Sequence, residues 1–273
     1  TFKKNKNKKN MPELAELRIM QDYINYHSKG RKFIKLYHVE KGNNSIDSEL
    51  IEDFEVVANS FGKELQLKTT NDTKTLDFSV FMGMSGNWKF VPTENWNDTK
   101  FVRMRIDTDD GNSLLLYGSY MGPKYRLGAF TGVKRGPDPT KEFDKFKSNV
   151  LDNLKLKAFD KPICEVLLNQ KYFNGIGNYL RSTILYYINV NPFESARTII
   201  MENPDILDFC RDIPIKAYQL NGGQLSDWTN PFDSDYEEFK KWVFYQKGLS
   251  CKDNTGRTFW YDEKWDSFSI YKK

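Results

Sequence analysis

Apolar residues recur along this chain with two different spacings, and the change of spacing divides it. In the first half they fall in short runs with partial period-2 alternation: Phe33–Val39, Glu64–Lys68, Leu76–Met82, Lys100–Thr108 and Ser113–Tyr117. Turn formers such as Asn71-Asp72 and Asp110-Gly111 lie between them, which predicts strands. Ahead of these runs, Leu14, Leu17 and Ile24 mark the apolar face of a helix reaching about Tyr26. Pro12 sits in its first turn, and Glu13 and Glu16 are favourable beside a helix N-terminus. In the second half the spacing becomes helical: Phe143, Phe146, Val150 and Leu154, then Ile163, Val166 and Leu167, then Leu180, Ile184, Leu185 and Ile188. Helix is predicted to continue to about Tyr218 and to return at Tyr236–Tyr245. Val133–Thr140, rich in glycine and proline, separates the halves. A leading helix and many short strands followed by helices predict an α+β fold, with an N-terminal β-sandwich and a C-terminal helical domain.

The stretch Asn169–Arg181, NQKYFNGIGNYLR, joins two of these helices through a turn with two glycines. Gly175 and Gly177 allow a sharp turn and close approach of a ligand to the backbone. A helix starting near Asn178 offers free N–H groups and the positive end of its dipole, which suits an anion such as phosphate. Asn178 can add a side-chain donor. An ordinary helix hairpin with a glycine turn carries the same residues.

Composition narrows the picture a little. The 273 residues are 39% hydrophobic and 15% aromatic, enough for one large or two ordinary domains with packed cores. The net charge of +4 is only mildly basic. Thr1–Asn10 holds five lysines and no acid, and reads as a disordered basic tail. No apolar run approaches the ~20 residues of a membrane-spanning helix. The three cysteines (Cys164, Cys210, Cys251) and two histidines are scattered without a CxxC pair, which supports neither a disulfide framework nor a zinc finger. Reduced cysteines in an intracellular protein are the default reading.

Five segments together resemble the formamidopyrimidine-DNA glycosylase and endonuclease VIII family. They are MPELAE (Met11–Glu16), RGPDP (Arg135–Pro139), the run Lys157–Tyr186 containing GIGNYLR, NPFESAR (Asn191–Arg197) and DNTGRTFWY (Asp253–Tyr261). They are most similar to the animal-type branch, whose finger lacks zinc. The resemblance implies a bifunctional DNA glycosylase and abasic-site lyase acting on oxidised bases, probing duplex or bubble DNA as a monomer in the nucleus, with repair proteins as further partners and no cofactor or metal. It implies a helix–two-turn–helix at Asn169–Arg181 and a zincless β-hairpin at 247–263. The expected layout is a tail at 1–11, a catalytic sandwich at 12–132, a linker at 133–141, a helical domain at 142–246, the hairpin, and a second tail at 264–273.

Residue by residue, the resemblance makes Pro12 the nucleophile once it is the N-terminal residue, because a secondary amine with a pKa near ~8 can attack the sugar C1′. Glu13 would move protons and Glu16 would orient the site. Lys63, in FGKEL, would reach the phosphate beside the lesion or assist proton transfer. Asn178 and Arg257 would grip phosphates, with Gly175 and Gly177 giving close approach. Met84, in GMSG, would fill the gap left by the flipped nucleotide. Tyr125-Arg126-Leu127 lies where the family has Arg-Arg-Phe, so Leu127 would be the wedge and Tyr125 would replace the first arginine. Asn221–Gln224 and Thr229–Ser234 fall where the family has its lesion-recognition loop. Two alternatives have the same residues: a damaged-DNA binder of this fold that does no chemistry, and a helix–two-turn–helix protein that binds RNA or serves as a scaffold. As the chain reads, Pro12 follows Met11 by a peptide bond, so the lyase reading requires Thr1–Met11 to be absent.

Overall fold

A computed structural model describes residues 12–40, 43–46, 51–119, 121–128, 135–222, 225, 231–232 and 234–271. The basic tail and part of the expected recognition loop lie outside them. Helix α1 (Leu14–Ser28) leads into β1 (Phe33–Glu40), β2 (Asn43–Ile46), β3 (Glu55–Phe61), β4 (Glu64–Thr70), β5 (Thr75–Phe81), β6 (Asn87–Pro92), β7 (Val102–Thr108), β8 (Asn112–Tyr117) and β9 (Lys124–Leu127). Five strands form one antiparallel sheet in the order β2-β1-β7-β8-β6, and four form another in the order β3-β4-β5-β9. Alternation along β3 turns Val56, Ala58 and Ser60 inward and leaves Glu55, Val57 and Asn59 outside. Trp88, Phe33, Phe54 and Tyr23 fill the space between the sheets and α1.

Helix α1 also covers the open edge of β3, where unpaired N–H and C=O groups would otherwise invite another chain. Asn25 donates to the Ala58 carbonyl at 3.0 Å and accepts from the Ala58 N–H at 2.7 Å. Gln21 accepts from both the N–H and the hydroxyl of Ser60 at 2.9 Å.

Four strands escaped the sequence reading: β2, β3, β6 and β9. Strand β6 ends in Pro92, which reads as a breaker but is tolerated because β6 is an edge strand. The run expected from Lys100 begins at Val102, because Phe101 has φ +61 and interrupts the strand.

The helical half contains α2 (Phe143–Asp152), α3 (Ile163–Val166), α4 (Asn178–Ile188), α5 (Ala196–Glu202), α6 (Ile206–Gln219) and α7 (Tyr236–Trp242). Its core gathers Phe146, Phe159, Phe173, Ile176, Leu180 and Ile184. Leu14 and Ala15 of α1 belong to this core, whereas Leu17 to Ile24 belong to the sandwich, so the leading helix joins both halves. Strands β10 (Leu249–Lys252) and β11 (Thr258–Tyr261) pair as an antiparallel hairpin. The expected tail at 264–273 is packed as far as Tyr271: its hydroxyl donates to Glu165 Oε1 at 2.5 Å and its ring meets Phe193 at 5.8 Å.

Candidate active site

The N-terminus of α4 is an anion site, and its occupant is Glu13. One carboxylate oxygen of Glu13 accepts from the N–H groups of Gly177 at 2.8 Å and Leu180 at 3.1 Å. The other accepts from the N–H of Tyr179 at 2.9 Å. These N–H groups have no partner inside the helix, so a buried carboxylate satisfies them. The two glycines serve this contact. A Cβ on Gly177 would lie 2.2 Å from the Glu13 carboxyl carbon, and one on Gly175, at φ +91, would strike Leu14. The sequence reading assigned these N–H groups to a DNA phosphate; the backbone brings α1 there instead, held by the Leu14 N–H on the Gly175 carbonyl at 3.1 Å.

Glu16 closes the first turn of α1 by accepting from the Glu13 N–H at 2.9 Å and from the Tyr179 hydroxyl at 3.1 Å. Burial pushes the Glu13 carboxyl up to about 7, and Glu16 adds to the rise while Lys63 and the backbone N–H groups oppose it. Burial likewise raises Glu16. Burial lowers the Lys63 ammonium, with Arg257 and Arg135 adding repulsion and Glu13 and Glu16 opposing. Lys63 thus interacts electrostatically with Glu13, Glu16, Arg257 and Arg135, and Glu13 directly follows the buried Pro12.

Lys63 lies at the tip of the β3–β4 hairpin, and that tip is docked on the other half. The Gly62 N–H donates to Asp138 Oδ2 at 2.8 Å. A Cβ on Gly62 would lie 1.9 Å from the side-chain oxygen of the buried Asn174, so only glycine fits. Arg135 pairs with the buried Glu64, beside Lys63, at 2.9 Å.

Arg257 is exposed at the turn of the β10–β11 hairpin. Asp253 builds that turn by accepting from the N–H and hydroxyl of Thr255 at 2.9 and 2.7 Å and from the Arg257 N–H at 3.0 Å. Its other oxygen pairs with Arg181 at 2.8 Å, both side chains fully buried. Arg181 also donates to the Cys164 carbonyl at 2.8 Å and to Asn178 Oδ1 at 2.6 Å, and its guanidinium lies 5.0 Å from the Phe259 ring centre. Asn178 Nδ2 donates to the Thr258 carbonyl at 2.7 Å, so this side chain ties α4 to the hairpin.

The expected void-filling group divides. Met84 is 41% exposed on a loop held by its N–H to the Met121 carbonyl at 3.1 Å, and Leu127 is 54% exposed at the end of β9. Arg126 lies over the Phe81 ring at 5.5 Å. Tyr125 turns inward, bonded through its hydroxyl to His38 and packed near Phe78, so it anchors β9 where a contact with DNA was expected.

Sequence reasoning missed Tyr179, Glu64, Asp138 and the Arg181–Asp253 pair. Arg181 left one signal, a charge within the apolar run Leu180, Ile184, Leu185 of α4. The buried acids left none, since Glu64 and Asp253 flank turns where exposed acids are common.

No family model matches the chain. It is 31% identical to human endonuclease 8-like 1 over 293 aligned positions, covering 92% of this chain and 72% of that protein. It is 26% identical to endonuclease 8 of Escherichia coli, covering 89% and 91%. In fold it is similar to the MutM (Fpg) protein of Thermus thermophilus, with a TM-score of 0.72, 19% identity and coverage of 93% and 98%. It is also similar to Lactococcus lactis Fpg in complex with DNA containing an oxidised pyrimidine, with a TM-score of 0.71, 17% identity and coverage of 92% and 98%.

Proposed function

The chain belongs to the endonuclease 8-like family, and from that premise we propose how it acts on DNA. It is a DNA glycosylase with abasic-site lyase activity that removes oxidised bases in base excision repair. The observation that carries the residue assignments is the Glu13 carboxylate, fixed by three backbone N–H groups beside Pro12 and within reach of the Lys63 charge.

In this reading the lone pair of Pro12 N attacks C1′ of the flipped nucleotide. The bond to the base breaks, and the base leaves with the bonding pair and takes up the proton that Pro12 N loses. The sugar ring opens, and an iminium joins Pro12 to C1′. Glu13, with its carboxyl near 7, gives a proton to the ring oxygen at neutral pH. A proton then leaves C2′, the 3′ phosphate departs, and a second elimination releases the 5′ phosphate. Glu16 keeps Glu13 and Tyr179 in place. Lys63 and Arg257 hold the backbone phosphates around the lesion, while Met84 and Leu127 enter the gap in the stack. The donor set of the hairpin fits no metal: Asp253 and Arg181 do at the turn what a bound ion could do. We further propose that the enzyme works as a monomer in the nucleus on duplex or bubble DNA, because one chain supplies every group and its substrate is there.

The chemistry requires a free amine at Pro12. In the 273-residue chain that nitrogen is a tertiary amide, its lone pair delocalised into the Met11 carbonyl. Two proteins test this, one beginning at Pro12 and one retaining Thr1–Met11, each mixed with abasic-site DNA and borohydride. The first should be trapped covalently and the second should not. Equal trapping would make a lysine the nucleophile, Lys63 first. No trapping of either, with binding intact, would favour the binder that does no chemistry.

A further inference from the structure

A cavity of about 400 Å³ opens beside the loop that carries Met84. It lies against the outer face of the five-stranded sheet, where Tyr117 packs on the small cluster of Val39, Val91, Val102 and Leu115. Its size is within the roughly 300–1,000 Å³ usual for ligand sites. Ser85 and Ser119 form the wall shared with the Met84 loop, joined through their hydroxyls at 2.6 Å.

Phe101 is the unusual member of this lining. It has φ +61, a backbone conformation that costs a bulky side chain stability, yet its ring is 59% exposed and recovers little by burial. Glycine would take the same conformation without strain, so folding does not account for phenylalanine here. The backbone around it is held, with the Gly118 N–H donating to the Phe101 carbonyl at 3.1 Å. Lys89 and Lys100 line the same cavity, and neither has an ion-pair partner among the described residues. The Thr99 hydroxyl, another lining group, is shut off from water with no hydrogen-bond partner. Asp98 adds one acceptor for an exocyclic amine.

We propose that this cavity is a subsite for one unpaired nucleotide of the DNA flanking the lesion, its base stacked on Phe101 and its phosphate held by Lys89 and Lys100. An exposed aromatic ring with adjacent lysines is how proteins hold single strands without reading sequence. The position rests on the functional reading above, in which the Met84 loop faces the DNA. A fully paired flank keeps its bases stacked and cannot use the subsite. The enzyme therefore binds more tightly where bases beside the lesion are unpaired.

The test uses the same lesion in three duplexes: fully paired, with a short unpaired run on the 5′ side, and with one on the 3′ side. Binding is measured by fluorescence anisotropy and cleavage separately. Wild type should bind one unpaired form more tightly than the paired form. Phe101→Gly and Lys100→Ala should lose that preference, Phe101→Gly by roughly 5- to 150-fold, the range of one stacked base. Both variants should cut paired DNA as wild type does, and Phe101→Gly should melt no lower than wild type. The proposal is overturned if wild type shows no preference, if Phe101→Gly keeps it, or if the variants weaken paired and unpaired DNA alike. All arms use the protein beginning at Pro12; its failure to cut the paired lesion would instead overturn the glycosylase reading, and the binding arm would still decide the subsite.

Discussion

Replacing Asp253 by alanine should detach the hairpin that carries Arg257. Asp253 accepts three hydrogen bonds inside the turn and pairs with Arg181, and both side chains are removed from water. Removing the carboxylate leaves a buried guanidinium without its counter-charge, which costs on the order of 3–5 kcal/mol. For a protein of this size that corresponds to a fall in melting temperature of about 2–4 °C per kcal/mol. The Arg181→Met, Asp253→Ala double variant should recover part of the loss, because no charge then stays buried. Chemical denaturation of wild type, both single variants and the double variant gives the coupling directly. Hydrogen exchange should quicken across 249–261 in Asp253→Ala, and excision should fall with it because the turn no longer places Arg257. A loss below about 1 kcal/mol would refute the reasoning, since a buried pair cannot be broken so cheaply. So would a double variant no more stable than Asp253→Ala.

Three further outcomes follow from the site. Arg257→Ala should leave the melting temperature unchanged and weaken binding of abasic-site DNA by roughly 10- to 150-fold, the ~1.5–3 kcal/mol of one charged contact; a variant that unfolds early would make Arg257 structural. The folded protein holds the Glu13 proton up to about 7, against an ordinary 4.5, so its contribution to stability is full below the lower value and is lost as pH rises through the higher one. Between pH 5 and 8 the denaturation midpoint of wild type should therefore drop more than that of Glu13→Gln, and parallel curves would remove Glu13 as the cause. Elemental analysis should find no stoichiometric zinc, and chelation should leave activity intact; zinc lost together with activity would overturn the metal-free hairpin.

Much of this fold could be read from local pattern, because burial acts on one face of a helix or strand at a time. The helices at Phe143, Asn178 and Tyr236 and the strands at Phe33 and Glu64 announce themselves by the spacing of their apolar residues, whereas the hairpin expected at 247–263 came only from the family resemblance. The strands β6 and β9 did not, because edge position and a tertiary anchor, His38 on Tyr125, decide them. The site divides the same way. The sequence alone showed that the turn before Asn178 offers N–H groups in need of an anion. It could not show which anion, since a phosphate, a ligand and any acid in the chain satisfy that need equally. Tertiary structure made the choice by carrying Glu13 across a separation of 164 residues to Gly177. The same holds for Gly62 against Asn174 and for Arg181 with Asp253: each is a long-range contact between groups whose own neighbours in sequence predict only a turn or a charged surface. Local sequence sets what a backbone segment demands, and only the packing of distant segments determines which group meets the demand.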